Sequence, residues 1–252
     1  MDKTLLKGLQ VLEQVAHADG VVRIADIVKA RSLTKSNAHR ILKTLEQAGY
    51  LRQDPQTKGF TANLKLWELG AEVVNRLDLR SRASDALHNL ANETREAVHL
   101  SILDGDEVIY VDKIDSPEPV GTYTRMGGRA PAYCVATGKA LLSQLPRAAL
   151  EPILAELRPY SEHTITDPAL LLEELHEARR KGFAINRGEW RSSVWGIAAV
   201  IHDATQSVIA AVGVSGPSYR LNDEKRCEVL AAKVMGYADE ISRNLGYRGP
   251  GK

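Results

Sequence analysis

Apolar residues in the first fifty positions recur at helical spacing in three successive segments. The first covers residues 4–17, the second covers residues 23–30, and Thr34 is a favourable N-cap for the third. The faces predicted to point inward consist of Leu5, Leu9, Leu12, Val15 and Ala16, then Ile24, Ile27 and Val28, and finally Ala38, Ile41, Leu42 and Leu45. Three helices with a short turn before the last one predict a helix-turn-helix arrangement.

The pattern changes after Gly49. Tyr50-Leu51-Arg52 and Phe60-Thr61-Ala62 have the composition of two short strands, and Asp54-Pro55 and Lys58-Gly59 between them are turn residues. A hairpin that directly follows a third helix predicts a wing.

Polar and basic residues occupy the face of the third helix opposite its apolar stripe. Such side chains can reach phosphates or read base edges, and the free amides of the first helical turn favour a phosphate. The alternative is a three-helix bundle with a solvated polar face. The candidate DNA-contacting residues are Arg23, Thr34, Lys35, Ser36, Asn37, His39, Arg40, Lys43, Arg52 and Lys58.

A further helix is predicted over residues 63–79, and it is apolar on more than one side. Its apolar residues are Leu64, Leu66, Trp67, Leu69, Val73, Val74 and Leu77. A linking helix of this kind predicts a contact with a second copy of the chain, although packing within one chain is the alternative. Two-fold pairing would match a palindromic operator.

The rest of the chain mixes helices with antiparallel strands. Helices are predicted over residues 80–95, 132–145, 147–157, 167–181 and 223–245, and strands over 97–103, 107–114, 121–125, 183–186, 194–201 and 208–214. This is an α/β (α+β) sensor-type domain. The predicted domains are therefore residues 1–62, a linker at 63–79, and residues 80–252.

Charge separates the two ends of the chain although the net charge is only +1. Residues 1–62 carry ten basic and six acidic side chains, hence +4, whereas the remaining residues carry 23 basic and 26 acidic, hence −3. A basic head on a slightly acidic body suggests a polyanion-binding module joined to another function. Two cysteines and the absence of a long apolar run predict a cytoplasmic protein without a membrane partner.

Three features of the sequence resemble sites found in enzymes, but none has the residues at the spacing that such a site requires. Gly138-Lys139 lacks the earlier glycine and the hydroxyl residue of a phosphate loop, so Lys139 is expected to be a surface or structural residue one turn into a helix. Gly213–Pro217 lacks the final glycine of a nucleophile elbow. The seven histidines form no metal-binding pair, and Glu173, Glu174 and Glu177 are interpreted as a solvated helix face. No catalytic residue, metal or cofactor is predicted.

Five segments together resemble the IclR family of transcription regulators. They are LTKSNAHRILKTLEQAGYL at 33–51, NLKLWELG at 63–70, ILDGDEVIYVDKIDS at 102–116, RMGGRAPAYCVATGKALL at 125–142, and GFAINRGEW, GIAAVIHD and IAAVGVSGP within 182–217. The resemblance implies a winged helix-turn-helix domain, a linker helix and a C-terminal GAF-like effector-binding domain. It also implies homodimers or dimers of dimers that regulate catabolic operons in response to small metabolites, often organic acids.

The resemblance places an effector pocket between the loop before the Gly-Lys helix and the last strands. It implies the residues Gly127, Gly128, Asn186, Val194, Gly196, Gly213 and Ser215, to which strand alternation adds Tyr110 and Arg125. Arg129 follows the loop and suits an anionic ligand, with a structural ion pair as its alternative role. Relatives often carry an acid near Asn186, and some carry Cys or Ser where this chain has Gly196 and Gly213. Their ligands therefore cannot be transferred.

The sequence thus predicts a non-enzymatic, ligand-responsive DNA-binding regulator, a repressor of a catabolic operon. Its small-molecule effector is an organic acid, and the residues around Tyr123 to Gly127 lean toward a sugar-derived one. Two alternatives stay open at this point: an effector-independent DNA binder, and a small-molecule enzyme that carries a DNA-binding head.

Overall fold

The computed structural model describes residues 3–75, 79–120 and 124–249. The chain divides into two compact units, residues 1–77 and residues 78–252. Unit 1 has one hydrophobic core and unit 2 has two.

Unit 1 is a winged helix-turn-helix, as the hydrophobic pattern predicts. Thr34 caps the third helix by accepting a hydrogen bond from the backbone N–H of Asn37 at 3.3 Å, and Asp26 accepts one from the N–H of Arg23 at 2.9 Å. The elements are α1 (Lys3–Ala16), α2 (Ile24–Arg31), α3 (Lys35–Gln47), β1 (Leu51–Gln53), β2 (Phe60–Ala62) and α4 (Lys65–Asn75).

The core of unit 1 lies between the three helices and the hairpin. Its buried members include Val11, Val15, Ile27, Leu42 and Phe60. The hairpin β1–β2 is antiparallel, and a bridge between Val22 and Phe60 joins its second strand to the segment before α2.

The first half of α1 departs from the predicted inward face. Leu5, Leu9 and Ala16 are exposed, because only the second half of α1 is covered by the core. Leu5 and Leu9 instead border an open apolar groove whose other wall includes Ile41 and Leu45 of α3.

The linker helix is described as α4, which ends at Asn75, and the next helix begins at Leu79. Leu64 and Trp67 are strongly exposed, with 73% and 72% of their surface accessible. The side chains of Val73 and Val74, and all of Leu77, lie outside the described residues.

Unit 2 contains a six-stranded antiparallel sheet in the order β5-β4-β3-β8-β7-β6. The strands are β3 (Ala97–Asp104), β4 (Glu107–Ile114), β5 (Arg129–Pro131), β6 (Ala184–Arg187), β7 (Val194–His202) and β8 (Val208–Pro217). The helices are α5 (Leu79–Thr94), α6 (Ala136–Leu142), α7 (Arg147–Ala155), α8 (Pro168–Lys181), α9 (Ser218–Leu221) and α10 (Glu224–Asn244).

Strand alternation divides the buried side chains of unit 2 between two cores. Val98, Val212 and Val214 point to the face that α5 and α10 cover. Ala198 and Ala211 point to the opposite face, which α6, α7 and α8 cover. Because successive residues of a strand face opposite ways, His99, Gly213 and Ser215 share the second face.

Two predicted elements differ in the structure. Residues 121–123 of the predicted strand 121–125 lie outside the described residues, and the described edge strand is β5, which pairs with β4. The predicted helix 132–145 is divided into a 3₁₀ turn at Ala132–Cys134 and the shorter helix α6. Gly138 packs against this turn so closely that a side chain there would overlap the Ala132 carbonyl oxygen.

Candidate functional site

A cavity of about 250 Å³ lies in unit 2 between the second face of the sheet and the start of α6. The residues that line it come from strands β3, β4, β6, β7 and β8, from the start of α6 and from two loops. They are His99, Tyr110, Thr124, Val135, Ala136, Thr137, Asn186, Trp190, Arg191, Ser193, Val194, Gly196, Gly213, Val214 and Ser215.

The floor is open because two strand positions carry no side chain. Gly196 pairs with Ser215 on one side and with Asn186 on the other, and Gly213 pairs with His99. Polar side chains from three strands therefore surround a backbone-lined depression.

His99 forms the polar centre of this floor. Its Nε2 lies 2.7 Å from Ser215 Oγ, and its Nδ1 lies 3.1 Å from Thr124 Oγ1. Burial, reinforced by the nearby charge of Lys113, lowers the pKa of His99 to about 4. The imidazole is therefore neutral at neutral pH, with one nitrogen donating and the other accepting.

Tyr110 lies beside His99, with 5.3 Å between the two ring centroids. Burial raises the pKa of Tyr110 to about 12, so its hydroxyl is protonated. Among the described residues that hydroxyl has no hydrogen-bond partner, which leaves it free to donate to or accept from a ligand.

Arg191 supplies a positive charge to the cavity wall. Its guanidinium lies 5.1 Å from the centre of the Trp190 ring, and its charge acts on Tyr110. In the described parts of the chain no carboxylate pairs with it. An unpaired cation beside a largely apolar cavity favours an anionic ligand.

Beneath the cavity lies a buried polar network centred on Glu189. Its carboxylate accepts from Lys139 Nζ at 2.6 Å, from Asn186 Nδ2 at 2.8 Å and from the backbone N–H of Arg187. Lys139 also donates to Glu174 at 3.0 Å. Lys139 is thus a buried structural cation, and Glu174 is half-buried against it rather than part of a solvated face.

The candidate DNA-binding face lies on unit 1. Lys35, Ser36, His39 and Arg40 are exposed along α3. Arg52 and Lys58 are exposed on the hairpin, and Asp54 orders the hairpin loop by accepting from the backbone N–H groups of Gln56 and Thr57. This helix and wing present cations on two elements of one module.

Two family models match this chain. The "IclR helix-turn-helix domain" matches residues 4–55, and "Bacterial transcriptional regulator IclR C-terminal" matches residues 71–243. The chain belongs to the IclR family. It is therefore a DNA-binding transcription regulator and not an enzyme, and IclR-type regulators bind DNA and small-molecule effectors.

Relatives of this IclR-family chain align over nearly its whole length. The HTH-type transcriptional regulator KipR of Bacillus subtilis is 32% identical and covers 98% of both chains. The crystal structure of the Thermotoga maritima IclR is 30% identical with a TM-score of 0.80, covering 98% of this chain and 100% of that one. An IclR homologue from Microbacterium hydrocarbonoxydans, complexed with 4-hydroxybenzoate, is 26% identical with a TM-score of 0.85, covering 96% and 99%.

Of the effector residues predicted for this IclR-family chain, six line the cavity: Tyr110, Asn186, Val194, Gly196, Gly213 and Ser215. Arg125, Gly127, Gly128 and Arg129 are not among its lining residues. Gly127 and Gly128 exchange backbone hydrogen bonds with Tyr110, which holds the loop against β4. Arg129 pairs with Asp104 at 2.5 Å and with Glu107 at 3.2 Å, which is the structural ion pair that was its alternative.

Several lining residues were not predicted, notably His99, Thr124, Trp190 and Arg191. His99 has a signal in the sequence, because strand alternation places it on the same face as Ser101 and opposite Gly213. No sequence pattern indicates that Arg191 lines the cavity. It lies in the loop between β6 and β7, and the path of that loop depends on the packing of Glu189.

The candidate DNA-binding residues divide into exposed side chains and side chains with internal partners. Thr34 and Asn37 take part in the first turn of α3, and Asn37 accepts from Arg40 at 3.2 Å. Lys43 donates to Glu46 and to Gln53, each at 2.8 Å, so it ties α3 to the wing. Arg23 is exposed at the start of α2.

Within residues 3–75, 79–120 and 124–249, no three metal-ligating side chains are grouped. None of the helices in those ranges is long and apolar enough to cross a membrane.

Proposed function

We propose that the chain is the effector-responsive repressor of a catabolic operon and that its effector is a small, sugar-derived organic acid. The observation that carries this proposal is the position of Arg191, which has no carboxylate partner among the described residues, on the wall of a cavity whose other polar groups are neutral. A carboxylate is the anion that this exposed guanidinium can bind through charge-assisted hydrogen bonds.

The size of the cavity supports a small ligand. A volume of about 250 Å³ accommodates a metabolite of several carbons. Trp190 and Val194 provide apolar contact, while Ser193, Ser215 and Thr137 provide hydroxyls. A mostly apolar wall with a few polar groups is typical of small-molecule sites.

We further propose that the chain acts as a homodimer, or a dimer of dimers, on a palindromic operator. Support comes from unit 1 alone, where Leu5 and Leu9 on α1, Leu64 just before α4, and Trp67 on α4 expose apolar surface. We propose that a second copy of the chain covers this surface. A palindromic operator has two half-sites, and its symmetry mirrors the two-fold symmetry of the protein that binds it.

The test is a mobility-shift titration of the full chain on DNA from upstream of its own gene and neighbouring genes, with organic acids added. We expect a palindromic fragment to bind, and an acid to release it. Arg191→Gln should keep DNA affinity and need at least about tenfold more acid for release, because a charge-assisted hydrogen bond is lost.

Arg147→Gln is the matched control, since Arg147 pairs with Glu151 on α7, outside the cavity lining. DNA binding that no acid alters would instead favour the effector-independent DNA binder. Failure to bind any palindromic fragment at moderate salt would contradict the regulatory proposal itself.

A further inference from the structure

We propose that the buried pair Lys139–Glu189 fixes the side-chain amide of Asn186 as a hydrogen-bond acceptor toward the cavity, so that the effector is a hydroxylated carboxylic acid. This inference rests on the proposed function and deepens it. Lys139 and Glu189 do not line the cavity and act as positioning residues. The ligand then has a carboxylate at one end and a hydrogen-bond donor at the other.

The pair is built as a fixed support. The Lys139 side chain is fully buried, that of Glu189 nearly so, and Lys139 Nζ lies 2.6 Å from Glu189 Oε1. Glu174 adds a second carboxylate at 3.0 Å from the same ammonium. Each charge is therefore compensated, and the packing leaves the Glu189 carboxylate one orientation.

That orientation determines which way the Asn186 amide points. Its Nδ2 donates to Glu189 Oε2 at 2.8 Å and to the carbonyl oxygen of Cys134. Both partners can only accept, so turning the amide over would set oxygen against oxygen at two contacts. The two N–H groups are thus used inside the protein, and Oδ1 is the amide atom left for the cavity that Asn186 lines.

The neighbouring groups are consistent with this polarity. Both nitrogens of His99 are engaged, by Ser215 and Thr124, and the Tyr110 hydroxyl can serve either as donor or as acceptor. A carboxylate placed against Asn186 Oδ1 would be repelled, whereas Arg191 attracts it. The ligand must therefore direct its carboxylate to Arg191 and a donor to Asn186.

A hydroxyl is the donor that the site favours over an ammonium. The buried carboxylate nearest to Asn186 is Glu189, and Lys139 already neutralises it. An ammonium in the cavity would thus be buried without a counter-charge, at a far higher cost than a hydroxyl.

The inference is tested by titration calorimetry on the full chain with acids matched in length. The probes are D-gluconate and D-xylonate against hexanoate and pentanoate, with 6-aminohexanoate as the ammonium probe. We expect the hydroxylated acid of a pair to bind at least about tenfold more tightly, because the analogue without the hydroxyl leaves a buried acceptor unpaired.

Two variants separate positioning from general stability. Asn186→Ala should bring the affinity ratio of hydroxylated to plain acid close to one while carboxylate binding persists. Glu189→Gln offers a donor of its own and allows the amide to turn, so the same ratio should fall. Asn92→Ala, on the exposed side of α5, is the matched control and should keep the wild-type ratio.

The readout is the ratio of the affinity for the hydroxylated acid to that for the plain acid. If Asn186 and Glu189 had a merely structural role, both affinities would fall alike and the ratio would not change. Three results would each overturn the inference. They are equal affinity of the wild type for gluconate and hexanoate, an unchanged ratio of these affinities in Asn186→Ala, and tighter binding of 6-aminohexanoate than of gluconate. The absence of binding by every hydroxylated acid would also overturn it. Should Glu189→Gln fail to fold, Asn186→Ala decides alone. The mobility shift on operator DNA reports separately on the proposed function.

Discussion

Acidification should destabilise unit 2 through His99, well above the pH at which carboxylates are protonated. Burial is the main reason that the pKa of this imidazole falls from 6.5 to about 4 in the folded chain. In the unfolded chain it returns to the ordinary value. Between these two values the unfolded chain binds a proton that the folded chain refuses, so stability is lost as the pH falls from 6.5 toward 4.

The full effect is roughly 3 kcal/mol, since each pKa unit corresponds to about 1.4 kcal/mol. From about pH 7 to about pH 5 the expected loss from His99 alone is about 2 kcal/mol. His202 also has a pKa lowered by burial and contributes to the same window. A comparison with His99→Gln isolates His99, because His202 is present in both proteins.

The assay is urea unfolding of both proteins across this pH range, followed by tryptophan fluorescence and circular dichroism. The free-energy difference between wild type and His99→Gln should shrink by about 2 kcal/mol on going from about pH 7 to about pH 5. A constant difference across that range would refute the reasoning, because it would mean that His99 titrates alike in both states. His88→Gln, on the exposed face of α5, is the control.

Three further predictions concern packing and DNA binding. Gly138→Ala should destabilise unit 2 by about 3 kcal/mol or more in urea unfolding, because backbone atoms of Ala132 cannot move aside, while Gly236→Ala, with nothing near its added carbon, should be neutral or stabilising. Ser101→Ala should raise the unfolding free energy by about 1 kcal/mol, because within the described structure its buried hydroxyl has no partner. Ser143→Ala should lower it, since that hydroxyl donates to Ala140 at 2.7 Å. Lys35→Gln should weaken operator binding and reduce the slope of log affinity against log salt by about 1, whereas Lys225→Gln in unit 2 should leave both unchanged.

Local patterns predict most element boundaries of this chain to within a few residues. The strand β4 and the end of α8 at Lys181-Gly182 follow from alternation and from a glycine C-cap, both of which act between sequence neighbours. The predicted winged helix-turn-helix and the α/β sheet domain are confirmed by the match to IclR structures.

Features that depend on distant contacts escape the same reasoning. The break between the 3₁₀ turn and α6 arises where Gly138 meets Ala132, and the burial of Lys139 depends on Glu189, fifty positions later. A helical period shows that Leu5 and Leu9 share a face but not whether anything covers it. Arg191 reaches the cavity through a loop whose course no local preference specifies.

The two glycines of the cavity floor, Gly196 and Gly213, differ in how well each position could tolerate a side chain. A methyl group at Gly213 would lie 2.6 Å from the Ile197 carbonyl oxygen and 2.7 Å from Ala198 Cβ, so in this chain a side chain there requires the paired strand β7 to shift. At Gly196 the nearest atom would be the Val214 carbonyl oxygen at 3.0 Å, so the required shift of the neighbouring strand is only a few tenths of an ångström. Position 196 is therefore where a single substitution can narrow the range of effectors that the cavity accepts while the sheet is preserved. Effector specificity in this protein can thus evolve at position 196 before position 213.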